Sequence, residues 1–345
     1  MGHPARIMNL RARLAVAAAI LGGFFSGIAF LSSGGAAQQS RSTQRWESAR
    51  QCQQCHAELF LEWQNSHHGI AFTNPEVRAL SDDFRKEECM DCHLPRPLAV
   101  TGFGNRTLPR RTHFDEGVSC ISCHLGEDGG LVGRNDRPEV PCKPKRSEAF
   151  LSVDACMSCH NQHQTTDQWR ASHYSAQGIH CTNCHMPEAD RKRPDGTIKK
   201  GRSHVYPGAH DKTMLSKAGV MTAEKIGSEL VLTIENVGAG HNFPTEERHR
   251  AVDLEYQFVG KDGPIAGDGT GGGDGFSRAY RCRQPYRDEV GENTQLPAGQ
   301  KKEVRVAVPA EATSVTVRMW YRLTPMCNDA DSRSTLLDER KLEWQ

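Results

Sequence analysis

The segment Cys52-Gln-Gln-Cys55-His56 is followed by four more of its kind: Cys89-Met-Asp-Cys92-His93, Cys120-Ile-Ser-Cys123-His124, Cys156-Met-Ser-Cys159-His160 and Cys181-Thr-Asn-Cys184-His185. Each reads C-x-x-C-H. In a helical turn the positions i, i+3 and i+4 share a face, so each copy presents two thiols and an imidazole to one side. This is the attachment pattern for c-type haem: the thiols take the two vinyl groups and the histidine coordinates iron from one face. Zinc ribbons also use paired C-x-x-C, but zinc does not require a histidine directly after the second cysteine, and all five copies have one. A thioredoxin-like redox pair would stand once rather than five times. The motifs predict five covalently attached haem c groups.

All five lie within residues 52–185 of a 345-residue chain. That is too little polypeptide to wrap each porphyrin separately, and the stretch from Arg45 to Leu215 is poor in apolar side chains for a segment that must bury a core. Closely packed porphyrins are expected to take the place of that core, with short helices and loops around them. Close haems exchange electrons readily, so a chain of redox centres follows from the spacing. The 43 basic residues nearly balance the 42 acidic ones, which argues against a nucleic-acid partner. At 25% charged residues the chain is not a disordered polyelectrolyte either.

Residues Met1–Arg13 carry Arg6, Arg11 and Arg13 without an acid, Leu14–Leu31 is apolar, and Ser32–Ala37 is small and polar. That order predicts a secretory signal over residues 1–37, cleaved after Ala37. The apolar stretch is at the lower limit for spanning a bilayer, so a retained N-terminal anchor is the alternative. Either way Gln38 onward is exported, to the periplasm or its equivalent, and membrane association would come only through an uncleaved N-terminus.

The sequence has 16 histidines, enough to supply a second axial imidazole to every haem. Two internal parallels select among them. Trp63-Gln-Asn-Ser66-His67 after the first motif matches Trp169-Arg-Ala-Ser172-His173 after the fourth, and His113…Gly117-Val-Ser-Cys120 matches His173…Gly178-Ile-His-Cys181. Recurrence beside haem motifs marks His113 and His173 as candidate ligands, with His67 or its neighbour His68. His204 and His210 follow the last motif, and His241 sits in a loop leaving an expected strand; of these His204 and His241 are the stronger candidates. His163, His180 and His249 are read as solvated or bound to propionates, and Met214 as packing.

After Leu215 the texture changes. Ser228–Glu235, Ala251–Val259, Glu303–Val308 and Ser314–Arg322 alternate apolar and polar residues between Gly and Pro clusters. The fold class expected is α+β: a mainly helical, loop-rich haem domain over 45–215, then an antiparallel β-sandwich domain over 222–345. The glycine-rich run Gly267–Gly275 lacks the register of a phosphate or calcium loop and reads as flexible. Cys282 and Cys327 are placed to form a disulfide in an oxidising compartment, and Cys142 stands as a free thiol. Arg191–Arg202 reads as a solvated basic linker, with a docking patch for an acidic redox partner as the alternative.

Together these residues resemble the exported multihaem c-type cytochromes of the cytochrome c-552/c-554-like group, related to hydroxylamine oxidoreductase and pentahaem nitrite reductase. The resemblance rests on C-x-x-C-H followed by Trp63, Ser66 and His68, on the Gly117 and Gly178 approaches to the third and fifth motifs, on Cys184-His185-Met186-Pro187, and on Gly240-His241-Asn-Phe-Pro244-Thr. It implies a helical haem domain with stacked porphyrins and, by the family spacing, His68 as ligand; the second copy departs from that spacing, which leaves His67 and His68 both open. The expected activity is electron transfer along mostly bis-histidine haems, between donor and acceptor proteins. Chemistry on a small nitrogen or sulfur compound at a five-coordinate haem is one alternative, and an oligomeric, conductive filament another.

Overall fold

The computed structural model describes residues 45–344, apart from 193–194, 246–248, 274 and 287–288. The expected signal or anchor over 1–37 lies outside the described residues, as do Arg193 and Pro194 of the basic segment and Asp274 of the glycine-rich run. From Arg45 onward the chain forms one compact unit. It is a mixed α+β structure, and among the described residues no helix is long and apolar enough to cross a membrane.

The first half holds short helices: α1 (Arg50–Gln53), α2 (Ala57–Gln64), α3 (Pro75–Leu80), α4 (Met90–His93), α5 (Cys120–His124), α6 (Asp154–His160), α7 (Thr165–Arg170), α8 (His173–Ala176), α9 (Cys181–His185) and α10 (Lys212–Ala218). Four of the motif helices (α4, α5, α6 and α9) stop at the motif histidine itself. None of these helices is long enough to be stable alone, so tertiary contacts must hold them. Local signals still set several ends. Asn74 accepts from the Glu76 and Val77 amides ahead of Pro75 in α3, and Asp211 accepts from the Met214 amide at the start of α10.

Two small pairs of strands lie among the helices: β1 (Val132–Gly133) with β2 (Lys145–Arg146), and β3 (Glu188–Lys192) with β4 (Ile198–Arg202). The second pair corrects the linker reading of Arg191–Arg202. That segment is an antiparallel hairpin in which Arg191 faces Lys199. Its turn is closed by Asp195, which accepts from the Thr197 amide and hydroxyl at 2.9 and 2.6 Å.

The second half is strand-rich: β5 (Gly219–Ile226), β6 (Glu229–Asn236), β7 (Ala251–Gly260), β8 (Gly263–Pro264), β9 (Ser277–Cys282), β10 (Lys301–Ala307), β11 (Ala312–Arg322) and β12 (Ser334–Glu343). They make a 3-stranded sheet in the order β10-β6-β5 and a 5-stranded sheet in the order β12-β11-β7-β8, with β9 on β7. Leu230, Leu232 and Ile234 of β6 share one apolar cluster with Val252 and Leu254 of β7 and Val315, Val317 and Met319 of β11. Each such buried side chain stabilises the fold by roughly 1.5–3 kcal/mol. Among the described residues the region of the C-x-x-C-H motifs has no cluster of that size. Its buried apolar clusters are Ala49, Phe60 and Trp63 in one place and Phe84, Met90 and Leu94 in another, with residues such as Leu98, Ile121 and Trp169 buried outside them.

Two further expectations are corrected here. The glycine-rich run is pinned rather than flexible: the Gly272 amide donates to Glu255 at 2.8 Å and its carbonyl accepts from the Asp329 amide at 3.0 Å. A Cβ at Gly272 would stand 2.5 Å from Asp329 and closer still to the Arg322 guanidinium, so glycine is required for that approach. Under the run Arg322, fully buried, binds Asp253 at 2.6 Å, Glu255 at 2.7 Å and Asp329 at 2.8 Å. Cys282 and Cys327 are both buried and both free thiols, with no disulfide between them.

Candidate haem-binding site

The repeated tryptophans explain how two of the motifs are held. Trp63 at the end of α2 donates its indole N–H to the Val118 carbonyl at 2.7 Å, and Trp169 in α7 donates to the Ile179 carbonyl at 2.9 Å. Val118 and Ile179 are the aliphatic residues two positions ahead of Cys120 and Cys181. In both copies the serine three residues after the tryptophan donates to the tryptophan carbonyl at 2.7 Å. The glycine ahead of each aliphatic residue has positive φ, 47° at Gly117 and 69° at Gly178, a conformation that favours glycine. The sequence repeat is thus one local structure used twice: a buried indole clamps the turn that feeds the next motif.

The imidazoles are held by main-chain carbonyls. Nδ1 of His93 meets Ala71 O at 3.0 Å, His124 meets Val132 O at 2.8 Å, and His185 meets Pro207 O at 2.7 Å. Outside the motifs, His204 meets Arg202 O at 3.0 Å and His241 meets Asn242 O at 2.9 Å. A carbonyl can only accept, so Nδ1 carries the proton and Nε2 keeps its lone pair for a metal. Burial disfavours the charged form of His68, His124 and His204. Desolvation, then the neighbouring His160, His204, His67 and His185, pulls His68 down to about 3. Desolvation and His124 take His204 to about 4.

Three ring pairs stand out. His68 lies 6.0 Å from His160, His124 lies 6.5 Å from His204, and His185 lies 6.2 Å from His241, centroid to centroid. An imidazole nitrogen sits about 2 Å from a metal it binds and about 1 Å from its own ring centre, so two rings on opposite sides of one metal have centres about 6 Å apart. In each pair one ring belongs to a C-x-x-C-H motif and the other to a different segment. Zinc would need four donors around one point, and among the described residues no group of three or more His, Cys, Asp or Glu is arranged to hold a metal ion. Two facing imidazoles suit haem, whose porphyrin supplies the remaining donors.

The other candidates are placed differently. His67 stacks on His210 at 4.1 Å, too close for a metal between the ring faces. His113, in a left-handed conformation, and His173, beside Tyr174 at 4.3 Å, are exposed, and among the described residues neither makes a ring contact with a motif histidine. His249 shares a hydrogen bond with the Tyr286 hydroxyl at 2.6 Å, and His163 Nδ1 is buried without a protein partner.

The motif sulfurs also converge across motifs. Cys52 of the first lies beside Cys120 of the third, Cys92 of the second beside Cys159 of the fourth, and Cys156 of the fourth beside Cys181 of the fifth. These thiols stand where the thioether sulfurs of attached haem would be. Attachment points of different motifs thus come together.

Several supporting residues escaped the sequence reading. Glu62 of α2 binds both Arg191 guanidinium nitrogens at 2.6 Å and accepts from the His204 amide at 2.8 Å. Arg110, buried, donates to the carbonyls of Pro95, Thr112 and His113. Glu116, also buried, binds Ser48, Ser119 and the Ala49 amide. Their partners are mostly carbonyls and amides, which leave no mark in the residue pattern. A Glu directly before one of the repeated Gly-x-x-Cys approaches would have been the nearest signal, at Glu116 rather than Glu62.

Residues 51–125 match the family described as cytochrome c554 and c-prime. Among solved structures the fold resembles a penta-heme cytochrome c552 from Thermochromatium tepidum, with a TM-score of 0.61 and 18% identity over 86% of this chain and 98% of that one. Among curated proteins none matches this chain.

Proposed function

We propose that the chain is a multihaem c-type cytochrome of the c552/c554 group with five covalently bound haem c, that its general role is electron transfer, and that it works outside the cytoplasm as a relay between redox proteins. Haem supplies a one-electron iron couple. The observation that carries the proposal is the set of three facing imidazole pairs. We assign His160 with His68, His124 with His204, and His185 with His241 as axial pairs; the choice of His68 over His67 follows from the stacking of His67 on His210. For the haems of the first two motifs, His113 and His173 remain the candidates beside His67.

The chain's own task is to hold those imidazoles still and dry. Carbonyls fix the Nδ1 protons of His124, His185, His204 and His241, buried indoles hold the turns, and desolvation disfavours the charged form of His68, His124 and His204. Fixed ligation of this kind lets iron change charge with little rearrangement around it.

The strand-rich region is read as a β-sandwich that caps the haem region. Gln168 of α7 accepts from Thr245 Oγ1 at 2.7 Å and the Asn242 amide at 3.2 Å, and Tyr174 donates to Val237 O at 3.0 Å. These bonds seat the loop that presents His241.

The test is spectroscopic. The oxidised holoprotein should show low-spin signals from the three assigned haems, and His68→Ala, His204→Ala and His241→Ala should each turn one haem high-spin. Reduced wild-type protein binding carbon monoxide in proportion to those three haems would overturn the assignment, and would favour chemistry at an open iron.

A further inference from the structure

One aromatic residue stands between two of the axial pairs. The Tyr206 ring lies 4.1 Å from His68 and 5.7 Å, edge-on, from His204. It therefore packs against the non-motif imidazole of the third motif's pair and of the fourth motif's pair.

The backbone confirms that this placement is enforced. Tyr206 has φ of 52°, which brings Cβ against the carbonyl and is a marked outlier for a bulky side chain. It also precedes Pro207, a position that favours extended conformations with negative φ. A conformation disfavoured on both counts persists only when its surroundings hold it. Here nearby residues are tied to imidazoles on both sides: Arg202 O receives the His204 Nδ1 proton and Pro207 O that of His185, while Glu62 fixes the His204 amide.

We propose that Tyr206 is a positioning residue at the junction of the third and fourth motifs, its ring fixing the planes of His68 and His204 and thereby the axial field at two haems. The inference rests on the axial pairs assigned above. Groups that orient a ligating imidazole tune the metal without touching it. The planes of two axial imidazoles set the g values of a low-spin ferric haem, so a residue with this role leaves a spectroscopic trace that plain packing does not.

The experiment compares Tyr206→Phe, which keeps the ring, with Tyr206→Asn, which removes it while tolerating the left-handed backbone, in the full-length holoprotein. Haem content is checked by the pyridine haemochrome. Tyr206→Phe should leave the electron paramagnetic resonance spectrum as in wild type. Tyr206→Asn should shift the largest g value of two low-spin haems and leave the others unmoved. Tyr206→Leu provides a second ring-free variant under the same criterion.

Ring-free variants that retain five haems and the wild-type g values, with only a lower thermal midpoint, would reduce Tyr206 to packing and overturn the proposal. So would a Phe variant as perturbed as the Asn variant. His68→Met and His204→Met separate this failure from failure of the axial reading. If both leave the low-spin signals untouched, the ligand assignment falls; if they alter them while Tyr206→Asn does not, the positioning role alone falls.

Discussion

At Gly117 a side chain has nowhere to go. A Cβ there would stand 2.6 Å from Gly69 O and 2.8 Å from the Ala71 amide, and closer still to His68 O, at a φ of 47°. Gly178 holds the matching place before the fifth motif, at φ 69°, with nothing within 4 Å. The pair therefore separates two costs. Gly178→Ala should lose only the backbone preference, about 1 kcal/mol. Gly117→Ala must also push the His68 segment away, and should lose about 3 kcal/mol or more along with the wild-type signal of the His68 haem. Denaturant unfolding of the two holoproteins, with haem spectra, measures both; equal losses would refute the contrast. The two glycines were visible in the sequence as a repeat. That one is crowded and the other open was not, because the crowding comes from main-chain atoms some fifty residues away. The same applies to His67 and His68, which adjoin in sequence but point into different surroundings.

The hairpin of β3 and β4 shows how an element can be misread. Its residues are charged and carry no apolar alternation, so they read as a solvated linker. What ties it to the helices is polar contact: Arg191 pairs with Glu62, whose side chains are only 15% and 22% exposed, and Arg202 donates to the Thr182 and Met186 carbonyls. Desolvation raises the Glu62 carboxyl, but the bonds from Arg191 and from the His204 amide outweigh it and leave it below its ordinary value of 4.5. A depressed carboxylate stabilises the folded state above its unfolded pKa, and that contribution fades as pH falls through the folded value. Glu62→Gln should therefore cost about 1–2 kcal/mol at neutral pH, after screening by nearby solvent, and progressively less below about pH 4.5. Unfolding curves of both proteins from pH 7 to pH 3 check this, and a gap that stays constant with pH would contradict it. The four strands with clear alternation, β6, β7, β10 and β11, were legible; β6, β7 and β11 are inner strands, while β10 alternates although it lies at a sheet edge. β5 and β12 also lie at edges, and their outer halves are largely exposed.

Across the whole molecule, apolar side chains and cofactor attachment divide the chain between them. The strand-rich half has a continuous cluster reaching from Leu215 to Tyr321. The motif-bearing half has two clusters of three buried residues each, and helices too short to stand alone. On the proposed reading five porphyrins supply the missing interior there, which would make the poverty of apolar residues and the wealth of Cys and His one signal in the sequence. The division predicts unequal dependence on haem. Full-length chain produced without haem attachment should retain amide-exchange protection through β5, β6, β7 and β11, because their packing uses no cofactor. Residues 50–210 should exchange at nearly the unfolded rate, since little apolar burial there offsets the chain entropy of about 1–2 kcal/mol per residue. Hydrogen exchange with mass spectrometry reads the two halves in one experiment. Equal protection in both would mean that the first half folds on its own contacts. Loss of protection in both would mean that the bonds of Gln168, Thr245 and Tyr174 make the sheets depend on the haem region, so that one cooperative unit spans the chain.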